Sequence, residues 1–192
     1  MVAGKDCGGA AEAASKIEGV SKVLSADDEA YDHSTAENIA GLVVELGEKY
    51  SHIMTPTTTS GKNFMPRVAA LLDVQQISDI SEVISEDTFE RPIYAGNAIA
   101  TVQSTDETKV LTVRGTAFDA VSDHGGNAEI EVVGVKHDTG LTVWNNEEIV
   151  KQDRPELTSA SVLSLIHISE PTRPERSACS GVSVKKKKGG GG

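Results

Sequence analysis

Strand-like and helix-like segments alternate three times in the first 72 residues, and this alternation restricts the fold more than any other feature of the sequence. Each short apolar run is followed by a segment whose apolar residues have helical spacing. The pattern predicts parallel strands joined by right-handed crossovers, which is an α/β layered sheet. Strands are predicted at residues 1–4, 22–26 and 52–55, and helices at residues 6–17, after residue 34, and at 64–72.

The second helix carries the clearest pattern. Ser34 and Glu37 are spaced as a capping box, in which a hydroxyl and a carboxylate satisfy exposed backbone amides. The apolar residues that follow recur at three- and four-residue spacing, which predicts a helix with one core-facing side. They are Ile39, Leu42, Val43, Leu46 and Tyr50. In the third helix, Pro66 is predicted in the first turn, where a missing amide N–H is tolerated.

After Asp73 the sequence changes to short β-rich runs separated by Ser, Asp and Gly. Ile99, Thr101 and Gln103 alternate with smaller or apolar residues, as in a strand with two distinct faces. We expect this half to form a meander or an antiparallel extension of the sheet. Strands are predicted at residues 82–84, 91–94, 98–103 and 110–114, then near 130–133 after a loop that starts at 121, with a further candidate at 141–144.

Charge and cysteine content limit the possible partners. The formal net charge is −11, and the first 162 positions carry 12 basic and 27 acidic residues. A domain with this excess of acidic residues repels phosphate backbones, so nucleic-acid binding is not expected. The two cysteines are too far apart for a CxxC metal site or a disulfide framework. Without an apolar run of membrane-spanning length or a secretory signal layout, we expect a soluble intracellular protein.

Three kinds of motif candidate do not meet the requirements of a functional site. Gly61-Lys62 suggests a phosphate loop, but that pattern needs Gly and Ser or Thr where this chain has Pro56 and Asn63. Helix amides there could still meet an anion, yet a plain strand-to-helix loop is favoured. His33, His52, His124 and His137 lack metal-ligand spacing and are interpreted as solvated polar residues. No Gly-x-Ser-x-Gly elbow is present, and Cys7 has no activating partner in sequence.

Four stretches resemble the ordered signatures of a known family: GKNFMPRVAALLDVQQISDI at residues 61–80, RPIYAGNAIATVQS at 91–104, LTVRGTAFDA at 111–120 and DRPELTSASV at 153–162. The family that they resemble is the electron transfer flavoprotein alpha subunit. The resemblance covers residues 2–162 and implies a Rossmann-like domain, similar to the adenine nucleotide alpha hydrolases, in which a mostly parallel sheet is flanked by helices.

The resemblance also implies a function for the parent protein. Such alpha subunits pair with a beta subunit that commonly binds AMP, and the heterodimer carries one FAD. Electrons pass from acyl-CoA dehydrogenases through FAD to a membrane quinone oxidoreductase. The parent is therefore an electron carrier of fatty acid β-oxidation rather than an enzyme. It is expected in the bacterial cytoplasm, or in the mitochondrial matrix if the source is eukaryotic, without insertion into the membrane.

The resemblance predicts three segments. Residues 1–150 are expected to form the amino-terminal α/β domain without the strand and helix that start the family's fold. Residues 151–162 are the linker into a missing FAD domain. Residues 163–192 include LSLIHISEPTR, which resembles a translated sequencing adapter, and end in KKKKGGGG. We expect a non-native, disordered tail here; a natural basic tail is the alternative.

No catalytic, flavin-binding or metal-binding residue can be assigned from the resemblance, and no cofactor is expected for the fragment alone. A structural role is expected for the matching residues Gly61, Asn63 and Pro66 at the start of a helix, Gly96-Asn97 in a tight turn, and Arg114-Gly115-Thr116 after a strand. The chain is interpreted as a scaffold that docks on the beta subunit. A nucleotide-binding or docking module without a redox role, and a chimera without function, remain alternatives.

Overall fold

In this computed structural model, which describes residues 1–146, a strand–helix step repeats three times before the chain turns to β-structure. The strands are β1 (Val2–Gly4), β2 (Lys22–Asp27), β3 (His52–Pro56), β4 (Gln76–Ile80), β5 (Glu82–Val83), β6 (Thr88–Ile93), β7 (Ala98–Gln103), β8 (Lys109–Val113) and β9 (Glu129–Val132). The helices are α1 (Gly8–Ser15), α2 (Ala36–Gly47) and α3 (Thr59–Leu72). The three predicted alternations are confirmed.

Six of the strands in the described residues form two parallel sheets of three strands each. The first sheet has the order β1-β2-β9, and the second has the order β3-β8-β4. Helix α1 connects β1 to β2 within the first sheet, and α3 connects β3 to β4 within the second, as expected for crossovers between parallel strands. The predicted α/β class is therefore confirmed.

The main hydrophobic core lies where α2 and α3 pack against the strands. Leu42 of α2 and Met65 of α3 are fully buried there, and so is Val110 of β8. Ala26 of β2 belongs to the same cluster, so these helices contact strands of both parallel sheets. A smaller cluster around Phe89 lies between the second parallel sheet and the antiparallel strands.

The antiparallel extension is confirmed as the sheet β5-β6-β7. Along β7, half-buried Ala98, Ala100 and Val102 alternate with exposed residues, as the sequence pattern predicts. The turn at Tyr94–Gly96 connects β6 to β7, and its φ angles are 49°, 56° and 90° in order. Only Gly96 adopts such an angle without steric cost, so this turn needs its glycine.

The expectation that the half after Asp73 forms a meander or an antiparallel extension of the sheet was wrong for the predicted strands β8 and β9. Strand β4, which was not predicted, and strand β8 pair parallel to each other next to β3, while β9 pairs parallel to β2. Val110, Leu111 and Thr112 are buried in succession, because the central strand of a parallel sheet is covered on both faces. Such a strand has no alternation from which its partner could be deduced.

The predicted capping box at α2 was also wrong. Ser34 has a φ of 47°, a left-handed conformation, so α2 starts one residue later with Thr35 as its N-cap and no capping hydrogen bond from that side chain. Tyr50 is not on the core-facing side, because α2 ends at Gly47 and the Tyr50 ring is 49% exposed. A side chain at Gly47 would lie 2.6 Å from Cδ1 of Ile53, which explains a glycine where the chain turns back into β3.

Helix α3 begins five residues before the predicted start. Thr58 is its N-cap, and the side-chain oxygen of Thr58 accepts a hydrogen bond from the N–H of Gly61. Pro66 therefore lies in the helix interior and not in its first turn. The carbonyl of Lys62 loses its helical donor as a result, but both residues are exposed and water can satisfy that carbonyl.

The remaining predictions concern the end of the chain. Residues 141–144 are not a strand, and Trp144 instead stacks on the imidazole of His33 with ring centroids 3.8 Å apart. The predicted loop from residue 121 into a strand near Ile130 agrees with β9. The linker at 151–162 and the tail at 163–192 lie outside the described residues.

Two leucines provide a test of this core. Leu42 of α2 is fully buried in the main hydrophobic core, whereas Leu71 of α3 is 59% exposed. We expect Leu42→Ala to lower the free energy of unfolding by about 2–5 kcal/mol, since it leaves a cavity. Leu71→Ala should change it by about 0.5 kcal/mol or less. Urea denaturation of both variants checks this; equal effects would contradict the assignment of the core.

Candidate functional site

The carboxyl ends of β3, β8 and β4 meet at one edge of the second parallel sheet, which we call the carboxyl edge (residues 56–62, 79–80 and 113–114). Backbone hydrogen bonds continue the sheet past the strand ends. The N–H of Thr57 donates to the carbonyl of Val113 at 2.8 Å, and the N–H of Arg114 donates to the carbonyl of Ile80 at 2.9 Å. In open α/β sheets, ligands bind at this kind of edge, so it is the first place to examine.

The amino terminus of α3 lies at the carboxyl edge. The Thr58 side chain caps it through the 3.2 Å hydrogen bond from Gly61 N–H, and the Thr58 carbonyl accepts from Lys62 N–H at 2.9 Å. Gly61 is buried, and a Cβ there would collide with the carbonyl oxygen of Pro56. The glycine therefore lets the helix approach the end of β3, which is the structural role expected of it. The amides of Thr59 and Ser60 remain at the positive end of the helix dipole.

Arg114 and Asp79 form an ion pair across the carboxyl edge. Nε of Arg114 donates to Oδ2 of Asp79 at 3.2 Å, and a second guanidinium nitrogen contacts the same oxygen. The Asp79 N–H donates to Oγ1 of Thr112 at 2.8 Å, and Asp79 has a φ of 61° where β4 departs from regular pairing. The hydrogen bond from Arg114 lowers the pKa of Asp79, with a smaller contribution from the charge of Lys62.

This arrangement can hold an anion but offers little reactive chemistry. The helix amides and the half-exposed Arg114 favour a negative ligand. Asp79 offsets the charge of Arg114, so binding of an anion would be weak unless it displaced the carboxylate. The same contacts also brace the turn after β8, which is a sufficient reason for the pair. The carboxyl edge thus suits a docking or weak nucleotide-binding role.

Of the residues that the sequence singled out, the structure brings Gly61 and Arg114 to the carboxyl edge. Asn63 and Pro66 lie exposed along α3, and Gly115–Ala117 forms a short turn after β8. Gly96-Asn97 belongs to the antiparallel turn and not to this edge. The glycine-lysine pair lies inside the first turn of α3, so the rejection of a phosphate loop agrees with the backbone found there.

Sequence reasoning missed a second polar cluster, in which residues 133–144 cross α2; we call this segment the strap. The Tyr31 hydroxyl donates to the carbonyl of Val135 at 3.1 Å and accepts from the N–H of His137 at 2.9 Å. Asn38 Oδ1 accepts from the N–H of Thr139 at 3.1 Å. Burial raises the pKa of Tyr31. These partners lie about 100 positions apart, so no local pattern indicated them.

His137 and His52 were both interpreted from the sequence as solvated polar residues, but each has a close polar partner in the structure. Nε2 of His137 lies 2.7 Å from Oε2 of Glu45, which attaches the strap to α2. Nε2 of His52 lies 2.6 Å from the carbonyl oxygen of Glu86. His124 is 84% exposed beside Asp123 and fits the original interpretation. Within residues 1–146, no group of three or more His, Cys, Asp or Glu side chains is arranged to hold a metal ion.

None of the helices in residues 1–146 has the length and the apolar character that crossing a bilayer requires.

The comparison with known families decides the identity of the fold. The model described as "Electron transfer flavoprotein domain" matches residues 1–138. The chain belongs to the electron transfer flavoprotein family. The resemblance that was based on four sequence stretches is therefore confirmed, since the similar curated proteins from Pseudomonas aeruginosa, Paracoccus denitrificans and Dictyostelium discoideum are each named as the alpha subunit of this flavoprotein.

Three relatives show how far the similarity extends. The chain is 60% identical over 163 residues to the electron transfer flavoprotein subunit alpha of Pseudomonas aeruginosa. The aligned region covers 85% of this chain and 53% of that protein. It is 52% identical over 160 residues to the subunit alpha of Paracoccus denitrificans, covering 83% and 52%. It is 46% identical over 179 residues to the mitochondrial subunit alpha of Dictyostelium discoideum, covering 85% and 50%. The chain thus spans about half the length of these curated flavoprotein subunits.

The Asp79–Arg114 pair predicts a pH dependence of stability in this flavoprotein domain. Since the folded-state pKa of Asp79 is lowered, the ionised pair stabilises the fold above the unfolded pKa near 3.9, and this contribution is lost as pH falls through the folded pKa. Asp79→Asn keeps a residue type that tolerates a positive φ but removes the charge. We expect this variant to be less stable than the parent at pH 7, with the difference shrinking as pH falls through the folded-state pKa of Asp79.

Urea midpoints at pH 7 and at pH 2 measure this difference. Asp123→Asn serves as the matched control, because the Asp123 side chain is 83% exposed and its ion-pair partner is the neighbouring His124 and not a residue of the carboxyl edge. A stability loss for Asp79→Asn that is equal at pH 7 and pH 2 would show that the charge of Asp79 is not what stabilises the turn.

Proposed function

We propose that the described domain is the amino-terminal scaffold of an electron transfer flavoprotein subunit alpha, which docks on a beta subunit while the flavin is held elsewhere in the full-length subunit. The observation that carries this proposal is the family match over residues 1–138 in a chain that spans 53% of its Pseudomonas aeruginosa relative. The carboxyl edge adds support, because it offers an ion pair between Asp79 and Arg114 and the exposed amides of a helix terminus, which suit contact with a protein partner.

For the intact protein, we propose the function of an electron carrier. FAD would supply the redox chemistry, and the protein would supply binding, orientation and electrostatics. Electrons would enter from acyl-CoA dehydrogenases and leave to a quinone oxidoreductase, with AMP bound to the beta subunit. The domain itself would not be an active enzyme. Its place of action would be the bacterial cytoplasm, or the mitochondrial matrix, as the name of the Dictyostelium relative suggests for that protein.

The proposed organisation follows the sequence expectation. Residues 1–150 form the scaffold, residues 151–162 lead toward a flavin domain, and residues 163–192 are not part of the native subunit. The family model matches residues 1–138, all of which lie within the first of these segments.

Flavin retention tests the division of labour. The 192-residue chain is incubated with FAD and desalted, beside a chimera in which residues after 162 are replaced by the remainder of the Pseudomonas aeruginosa subunit alpha. Both are purified with and without the beta subunit of that organism. We expect yellow colour only in the extended chimera, and co-purification of the beta subunit with both chains.

Either half of this proposal can fail independently. Flavin absorbance retained by the 192-residue chain would mean that the flavin site lies within the present domain. Failure of that chain to capture the beta subunit, while the chimera captures it, would place docking outside the described residues.

A second candidate function, nucleotide binding, is favoured by the carboxyl edge. If Arg114 and the α3 amides hold a phosphate, AMP or ATP at millimolar concentration should raise the Tm of the chain. Arg114→Gln should abolish this rise. Arg67→Gln is the matched control, since Arg67 also lies in an ion pair and is similarly exposed, at 41% against 44% for Arg114. Equal shifts in both variants, or no shift in the parent, would leave the docking role alone.

A further inference from the structure

Strand β7 forms a free edge of the antiparallel sheet. In the described residues it hydrogen-bonds only to β6, with which its six residues pair in one continuous register. Its sequence, AIATVQ, contains no charged residue and no proline. Edge strands are normally protected from pairing with other chains by charges, prolines or bulges, and β7 has none of these features. A regular edge of this kind is suited to accept one more strand.

The hydrogen-bond pattern shows which groups of β7 face outward. The N–H of Ser104, which directly follows β7, donates to the carbonyl of Asp87 at 2.8 Å. Bonds to a neighbouring antiparallel strand recur at every second residue, so the even-numbered residues of β7 bond to β6. In agreement, the Thr88 carbonyl accepts from Ile84 N–H on the β5 side and not from β7. The odd-numbered residues of β7 therefore direct their backbone N–H and C=O groups away from the sheet. These residues are Ile99, Thr101 and Gln103.

Acidic side chains lie on the outer face of this sheet, on the side opposite to the buried Phe89. Glu90 is directly opposite Thr101, and Glu82 is directly opposite Glu90, so the three side chains form one row across the face. Like charges in directly opposed positions repel each other. Among the described residues neither glutamate has an ion-pair partner. A basic side chain next to Thr101 would extend the row with the opposite charge.

The adjacent row on the same face is apolar. Ile99 is directly opposite Pro92, and the Ile99 side chain is 56% exposed. Tyr94, in the turn that connects β6 to β7, is 80% exposed. These side chains provide apolar surface beside the open strand edge, and tyrosine in particular is enriched at protein interfaces. An apolar residue of a partner would be buried here.

We propose that the open edge of β7, together with Glu82, Glu90 and Ile99 on its outer face, is a docking site for an extended segment of a partner protein. The segment pairs antiparallel to β7, which continues the geometry of this sheet. It carries a basic residue opposite Thr101 and, two residues further along, an apolar residue opposite Ile99. The formal net charge of −11 also attracts a basic partner. The site lies apart from the carboxyl edge, so the proposal goes beyond the docking and nucleotide-binding roles given above and does not depend on them.

Amide chemical shifts of the isotope-labelled 192-residue chain test the proposal. The probe is the peptide acetyl-GTRTVTG-amide, which has arginine and valine in the required order and is added to millimolar concentration. We expect the amides of the odd-numbered residues of β7 to shift at least threefold more than those of the even-numbered residues, which already bond to β6. The control peptide acetyl-GTETVTG-amide should bind at least fivefold more weakly, because its glutamate is repelled by Glu90.

Substitution of Glu90 tests the charge of the acidic row. Glu90→Gln should weaken binding of the arginine peptide by about two- to fivefold, which is the factor that one solvent-exposed ion pair contributes. Glu129→Gln is the matched control, because Glu129 is an exposed glutamate on β9, in a different sheet, and its removal changes the net charge by the same amount. It should leave the affinity for the peptide unchanged.

Two variants of Thr101 separate charge from strand pairing without disturbing the core, since this side chain is exposed. Thr101→Lys places a positive charge beside Glu90, so it should weaken binding of the arginine peptide at least fivefold and strengthen binding of the glutamate peptide. Thr101→Val keeps the backbone N–H and a β-branched side chain, and should bind the arginine peptide as the parent does.

Three outcomes would overturn the proposal. Equal shifts at the odd- and even-numbered amides of β7 would exclude pairing at this edge. Equal affinity for the two peptides would exclude a basic partner. Slow hydrogen exchange of the odd-numbered amides in the free chain would show that the edge is already covered. A second copy is the cover if this protection grows with protein concentration, and another part of the same chain is the cover if it does not.

Discussion

The packing of α2 against α3 is the interaction on which the rest of the domain depends. No ladder hydrogen bond connects the sheet that contains β2 with the sheet that contains β8 in the described residues. In the described residues the two sheets are joined through one apolar cluster, which contains Leu42 of α2, Met65 of α3 and the strand residues Ala26 and Val110. Since apolar contacts are not directional, these helices fix where the strands lie but not how the strand edges are paired.

The excess of acidic residues affects which ligands the carboxyl edge can attract. At the carboxyl edge Arg114, the cation closest to the strand ends, already has a carboxylate partner in Asp79, and the charge of Lys62 also acts on that carboxylate. The net field of the domain is negative as well, with a formal charge of −11 over the whole sequence. A surface of this kind favours a basic protein partner over a free nucleotide, because steering acts on the total charge while a neutralised ion pair offers little to a small anion.

Much of the fold could be predicted from the sequence because its signals are local. Helical spacing in α2 and the two-residue period in β7 were sufficient to place those elements. The parallel pairings of β4, β8 and β9 could not be predicted, because a central strand is buried on both faces and carries no period. The limits of α2 were predicted wrongly from Ser34 and Tyr50 for another reason. Ser34 adopts a left-handed conformation before the helix, and the helix ends at Gly47, which leaves room for the Ile53 side chain. The strap was invisible for the same reason, since Tyr31 and His137 meet only in the folded chain. Of the residues at the carboxyl edge, the sequence indicated Gly61 and Arg114 but not Asp79.

The pairing of β2 with β9 joins Lys22 to Glu129 and so spans more than 100 residues of chain. During translation at roughly 5–20 residues per second, the β2 edge would stay open for roughly 5–20 s after it leaves the ribosome. Contacts so distant in sequence are also slow to form once the chain is complete. The nascent domain thus passes through a period in which an apolar strand waits for its partner, which makes this edge the point where chaperone binding would matter most.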